Sequence, residues 1–128
     1  MKFIFDKNFP INATRILDIF DRQNEMRHCT DLFERGTADT VWLREISGMD
    51  NKSIVLSHDG RILRNKVERN VLSECKLSFV YLTKTWAQTP WNDFVWKITR
   101  IWPNIVKDVS RIRTPKVFQV TQSKVIIT

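Results

Sequence analysis

Three aspartates occupy positions where an α/β chain can assemble chemistry. Asp6 follows directly on the apolar run Phe3-Ile4-Phe5, and Asp59 comes two residues after Ser53-Ile54-Val55-Leu56-Ser57. Asp39 falls in the first turn of a helix for which Thr37 reads as the N-cap. In an open parallel sheet, ligands gather outside the carboxyl ends of the strands, at the point where the winding reverses. Three carboxylates brought to one such edge repel one another, and at least one resists ionisation unless a cation compensates. Carboxylates, waters and phosphate oxygens are the ligand set of Mg2+ or Mn2+. An ion held in this way activates a water and neutralises charge growing on a phosphodiester during in-line displacement. Singly, each aspartate also has a plainer reading, as a charge at a helix N-terminus or as a turn residue. Only their convergence points to a metal.

The elements that must position them read as alternating strands and helices. Lys2 to Asp6 is a short buried strand, and Pro10 suits the start of a helix whose apolar face is Ala13, Ile16, Leu17 and Phe20. Glu25 to Cys29 is a weaker strand. A helix from Thr37 to about Ser47, stopped by Gly48, places Trp42 and Ile46 on one face. Ser53 to Ser57 is the clearest buried strand, Arg64 to Ser73 a helix, and Leu77 to Leu82 a further strand. Pro90 opens a helix with the stripe Trp91, Phe94, Val95, Ile98 and Trp102, and Pro103 should break or kink it. Val117 to Thr121 and Lys124 to Ile127 form a terminal hairpin across Gln122-Ser123. Strands alternating with helices imply an α/β fold, a mostly parallel central sheet with helices on both faces.

Composition narrows the class. A chain of 128 residues is one domain, and 42% hydrophobic with 27% charged residues is globular rather than disordered. Phe5 is followed at once by Asp6 and Lys7, which interrupts any signal-peptide core, and no apolar run approaches the ~20 residues of a bilayer span. The expected setting is soluble and cytoplasmic, with Cys29 and Cys75 as reduced thiols. No phosphate-cradling glycine motif is present. The net charge of +7 is unevenly divided: residues 1–60 carry eight bases and ten acids, residues 61–128 thirteen bases and four acids. A basic half of net +9 suits a polyanionic partner.

Three segments resemble the PIN-like family related to VapC-type toxins: Phe5-Asp6-Lys7-Asn8, Gly36-Thr37-Ala38-Asp39-Thr40-Val41-Trp42, and Val55-Leu56-Ser57-His58-Asp59-Gly60-Arg61-Ile62-Leu63-Arg64-Asn65. The resemblance extends from residue 2 to about 84. It implies a three-layer PIN-like fold spanning 1–128, with a core to about residue 84 and a basic, Trp-rich extension from about 85. It further implies a Mg2+- or Mn2+-dependent endoribonuclease, with one or two ions bound by Asp6, Asp39 and Asp59, and with an antitoxin protein encoded beside it. Asn8 and Thr37 fall on supporting positions. A fourth acid is expected in the fuller site, for which Asp31 and Glu68 are the candidates, while Lys7 stands where some relatives have a second acid.

Arg61, Arg64, Lys66 and Arg69 follow the last acid and are assigned to RNA phosphate contacts. In the Trp-rich segment, the helical stripe is assigned to packing, whereas Trp86 and Trp96 fall off it and suit base stacking. His58 is a candidate proton shuttle. A second copy of the chain is a further partner compatible with the sequence. The competing readings are a degenerate fold that binds RNA without cutting it and a receiver-like regulatory domain; the latter normally needs paired acids after the first strand.

Overall fold

A strand with apolar side chains at successive positions must be covered on both faces, so the sheet it joins lies between two helical layers. The computed structural model describes residues 1–49, 52–112 and 114–127 and has this architecture. β1 (Lys2–Phe5), β2 (Glu25–His28), β3 (Ser53–Ser57), β4 (Ser78–Leu82), β5 (Val117–Val120) and β6 (Val125–Ile127) make one sheet in the order β2-β1-β3-β4-β5-β6. All pairings are parallel except that of β6 with β5, the expected terminal hairpin.

One face carries Phe3, Phe5, Leu56, Val80 and Phe118, packed under α1 (Ile11–Phe20), the short α6 (Lys84–Ala87) and the long α7 (Trp91–Arg111). The other carries Ile4, Val55 and Phe79 under α3 (Asp39–Ser47), α4 (Arg61–Arg64) and α5 (Lys66–Glu74). A single turn, α2 (Cys29–Leu32), follows β2. The basic C-terminal segment therefore completes the sheet and one helical layer. Trp102 ties them together: its ring stands 4.8 Å from that of Phe3, and its Nε1–H donates to Asp21 Oδ2 at 3.0 Å.

Several local expectations give way to packing and capping. The helix expected over Arg64 to Ser73 is two helices, because Asn65 turns extended between them and its side chain accepts from Glu68 N at 3.1 Å as an N-cap. Pro103 does not break α7, which runs unbroken for 21 residues. Pro103 is solvent-exposed, so water can satisfy the carbonyl whose partner the missing N–H removes. Thr37 is not the cap of α3: its N–H donates to Glu34 O at 3.0 Å in a tight turn, and Ala38 holds the cap position without a side-chain bond. On α1 the buried face is Ala13, Thr14 and Leu17, and Phe20 is exposed. On α7 the buried stripe is Phe94, Ile98, Ile101, Trp102, Ile105 and Val109, which leaves Trp91 at the surface and Val95 half-buried.

Candidate functional site

The winding of the sheet reverses between β1 and β3, since β2 lies outward of β1 on one side and β4 and β5 lie outward of β3 on the other. Asp6 and Asp59 follow those two strands. The registers Phe5↔Leu56 and Phe5↔His28 bring Asp6 level with Ser57 on one neighbour and with Cys29 on the other. Asp6 N donates to Leu56 O at 2.9 Å, so the pairing continues one residue beyond the strand and fixes the aspartate. Asp39, at the first position of α3, adds its charge from the second helical layer.

Asp6 is only 3% exposed. Burial pushes its pKa up, and the charges of Asp39 and Asp59 push it further; bonds from the Ser57 hydroxyl and the Lys7 backbone oppose them. Ser57 is the hinge of the arrangement. Its hydroxyl donates to Asp6 Oδ2 at 3.0 Å and accepts from Asp59 N at 2.9 Å, coupling the two acids through one buried side chain. Asp59 accepts from Asn8 Nδ2 at 3.2 Å, from Arg61 N at 3.0 Å and from Arg61 Nε at 2.7 Å. Burial raises the Asp59 pKa, but the Arg61 bonds and charge, with Asn8, outweigh it and hold the carboxyl below its ordinary value. Asp39 Oδ1 accepts from Trp42 Nε1 at 2.8 Å.

The two candidates for a fourth acid separate. Asp31 is turned to Arg15, whose Nη1 and Nη2 donate to it at 2.8 and 2.6 Å, and it also accepts from His28 N at 3.0 Å in a capping box on α2. The Arg15 bonds hold its carboxyl down, from 3.8 to about 2. Glu68, in the first turn of α5, is instead raised, first by burial and then by Asp39, with Asp59 and Asp6 contributing. It shares the electrostatic environment of the other three acids.

Asp31 should therefore be structural. A carboxyl whose folded pKa is depressed stabilises the fold above its unfolded value, here 3.8, and loses that contribution as pH falls toward about 2. Arg15 is half-exposed, so water screens the pair and about 1 kcal/mol is expected. Asp31→Asn should lower the free energy of urea unfolding at pH 7 by that amount, and the gap from the unaltered chain should close below pH 4. An equal gap at pH 7 and pH 3 would show that the ion pair is not its source.

Basic residues divide similarly. Arg61 reaches back, its Nη2 2.6 Å from Asp59 Oδ2, although its side chain is 69% exposed. Arg64 lines a cleft of about 400 Å³ beside Asp59, together with Asn8, His58, Tyr81 and Lys84. Arg69 lies further along the same face, its Nη1 on Leu63 O at 3.3 Å, and Lys66 is exposed at the start of α5. The stacking expectation for Trp86 is overturned: it is 0% exposed, and its Nε1–H donates to Val120 O at 3.1 Å. Trp96 is 48% exposed, with Lys97 Nζ and the Arg100 guanidinium 5.7 and 6.0 Å from its ring. His58 lines the cleft with its ring 6.1 Å from that of Phe9. The Cys29 thiol is pushed up to about 12, first by burial and then by Asp6 and Asp39, so it stays protonated and inert.

Among the described residues, no three acids, histidines or cysteines stand as a ready-made metal cage. The reason is visible in the bonds above: Asp59 faces Arg61 and Asn8, and one Asp39 oxygen faces Trp42. The donor set is nevertheless all oxygen, in a part-buried cluster whose charges repel. Mg2+ is held through one or two carboxylates, waters and substrate phosphates rather than by a closed protein cage. The residues fit such an ion.

Two positioning residues escaped the sequence. Ser57 ends an apolar strand as an ordinary small residue, and only the register shows that it bridges Asp6 and Asp59. His28 is 2% exposed; its Nε2–H donates to Phe9 O at 2.8 Å, and its Nδ1 accepts from Thr30. The imidazole thus pins the turn that carries Asn8. The signal was a histidine ending a strand beside the acids, which is too common a pattern to single out.

The sequence pattern of one family, described as a PIN like domain, matches residues 1–84. No curated protein and no solved structure matches the chain.

Proposed function

Because the chain belongs to the PIN-like domain family, we propose that it is a Mg2+- or Mn2+-dependent endoribonuclease and the toxin half of a toxin–antitoxin pair. The observation that supports this reading is the mutual repulsion that links the charges of Asp6, Asp39, Asp59 and Glu68 beside the switch point of the sheet, with Asp6 buried and its pKa raised. When bound there, the ion would compensate the acids, make a water nucleophilic near neutral pH and stabilise charge on the phosphodiester. Asp6 and Asp59 would hold that ion, oriented by Ser57, and Asp39 and Glu68 would add negative charge around it. Arg61 keeps Asp59 compensated when no ion is present, and its exposed guanidinium is placed to take a phosphate oxygen instead. Arg64 and Lys84 line the adjoining cleft and hold the phosphates that flank the scissile one.

Mn2+-dependent cleavage of single-stranded RNA, stopped by EDTA, is the expected activity; an RNA left intact across a panel of structured and unstructured substrates would end the reading. The receiver-like alternative gains nothing from this site, since Lys7 stands where its second acid would be. The antitoxin half of the reading is tested by co-purification with the product of the adjacent open reading frame.

A prediction specific to Ser57 separates orientation from ligation. Ser57→Ala removes the hydroxyl that holds Asp6 and the Asp59 backbone together and leaves all four carboxylates in place. Losing such an outer partner typically costs about 10–100-fold in metal affinity. Calorimetric titration with Mn2+ should show that loss with the secondary structure intact; unchanged affinity would mean that Ser57 does not position the acids.

A further inference from the structure

The cleft beside Asp59 is one end of a longer groove. It shares Gly60, Arg64 and Tyr81 with a smaller hollow of about 230 Å³, which in turn shares Leu63, Arg69 and Val117 with a third of about 600 Å³. The groove runs from the carboxyl end of β3, past α4 and α5, over the face of β4 and β5. Its origin is topological: α7 packs on the opposite face, so no helix covers β5 here, and Val117 and Gln119 remain half-buried. Even Gly60 is part of the fit, since a Cβ there would lie 3.2 Å from Tyr81 Oη and 3.4 Å from Arg64 Nη1.

Among the described residues, five cations line the groove: Lys84, Arg64, Arg69, Lys76 and Lys116. The one acid on its walls among the described residues is Asp59, at the end where cleavage is proposed. None of the five forms a salt bridge among the described residues, whereas Lys2, Arg15, Arg27, Arg44 and Arg61 all do. Lys76 adds a separate observation. It follows α5 with φ 54°, the left-handed conformation that helix ends ordinarily give to glycine. Glycine would relieve that strain, so the Lys76 side chain can be removed there without cost to the helix end.

We propose that this groove is the track of a single-stranded RNA, running from the acids at Asp59 to Lys76 and Lys116. Cations without a salt bridge among the described residues, following one another from cleft to hollow, suit a phosphate backbone, and the Tyr81 ring and Gln119 amide suit its bases. The direction of the track rests on the reading of the acids as the cleavage centre; its occupancy does not.

The test is the affinity of the full chain for a fluorescein-labelled 12-nucleotide RNA in EDTA, where nothing is cut. Each single-strand phosphate contact contributes a salt slope of about 0.7, or about fivefold in affinity at 0.1 M salt. Lys76→Gly with Lys116→Gln should bind about 25-fold more weakly, with a slope smaller by about 1.4, and Lys76→Gly alone should melt no lower than the unaltered chain. Lys107→Gln with Lys124→Gln removes the same charge away from the groove and should change affinity less than about twofold. Equal losses in the two double variants would reduce the effect to net charge and overturn the track, as would unchanged binding in the groove variant. Poly-glutamate binding that is lost in the groove variant while RNA binding persists would also overturn it and assign the groove to an acidic protein segment. If the groove variant loses RNA and yet the unaltered chain cuts none, the track stands and the nuclease reading falls; cleavage by the unaltered chain with no binding loss in the variant gives the reverse.

Discussion

Asp59→Asn and Asp6→Asn should each reduce Mn2+-dependent RNA cleavage by at least about 10²–10³-fold, the scale on which a site loses one preorganised electrostatic group. The two variants should differ in stability. Asp6 is buried and its pKa is raised, so its carboxylate opposes folding at neutral pH in the absence of metal. A carboxyl raised in the folded state loses stability as pH climbs from 3.8 through its folded value and carries that penalty at every higher pH. Asparagine removes the penalty and still accepts from Ser57, so metal-free Asp6→Asn should melt higher at pH 7 than the unaltered chain. Asp59 is the opposite case, held below its ordinary value by Arg61 and Asn8. Asp59→Asn leaves the Arg61 guanidinium without its partner and should melt slightly lower. Cleavage of RNA and scanning calorimetry on the same preparations check both halves. Full cleavage by either variant would remove that aspartate from the site, and a lower melting temperature for metal-free Asp6→Asn would show that its carboxylate is compensated.

The largest stability effect is expected at Trp86. Its ring is fully enclosed, meets that of Phe94 edge-on at 5.6 Å, and ties α6 to β5 through Val120 O. Trp86→Ala opens a cavity, while Val120 O keeps its bond from Thr83 N at 3.0 Å, so the loss of the packed ring by itself should cost about 3–5 kcal/mol. Against a total of about 5–15 kcal/mol for a domain, the variant would be marginal at 37 °C. Trp86→Phe keeps most of the volume and supplies the informative control: urea unfolding should show a loss of about 1–3 kcal/mol, with RNA affinity unchanged. A base-stacking Trp86 would instead lose about 1–3 kcal/mol of RNA binding with little change in stability.

The contrast between Trp86 and Trp96 shows where sequence reading stops. Both fall off the apolar stripe of α7, and periodicity alone gives them the same standing. Trp86 belongs to a separate turn, α6, laid against the sheet by a chain reversal that no helical period reports, while Trp96 stays on the outer face of α7 beside Lys97 and Arg100. Pro103 errs in the other direction. The prohibition on proline inside a helix is real, but a buried stripe on both sides, from Ile98 to Val109, holds the helix through it.

The candidate acids show the same division. Asp6 and Asp59 could be placed at strand ends because three or more consecutive apolar residues betray a strand buried on both faces, and that is a property of local sequence. The same local patterns made the sheet, its mostly parallel course and the terminal hairpin legible. Local pattern does not contain the strand order, and the order puts β1 beside β3, so that Asp6 and Asp59 share Ser57. Nor does it show that Arg15 takes Asp31 out of the cluster while the turn at Asn65 sets Glu68 into it. Those choices depend on side chains 16, 51 or more residues apart meeting through hydrogen bonds, and such meetings follow from packing. The uncovered face of β5, with its line of lysines and arginines, is a consequence of α7 going to the opposite layer. By itself, then, the sequence determined which residues could do chemistry and that they stand at the ends of buried strands. Tertiary structure alone decided which of them meet, because burial and hydrogen bonding act between elements whose proximity only the completed sheet creates.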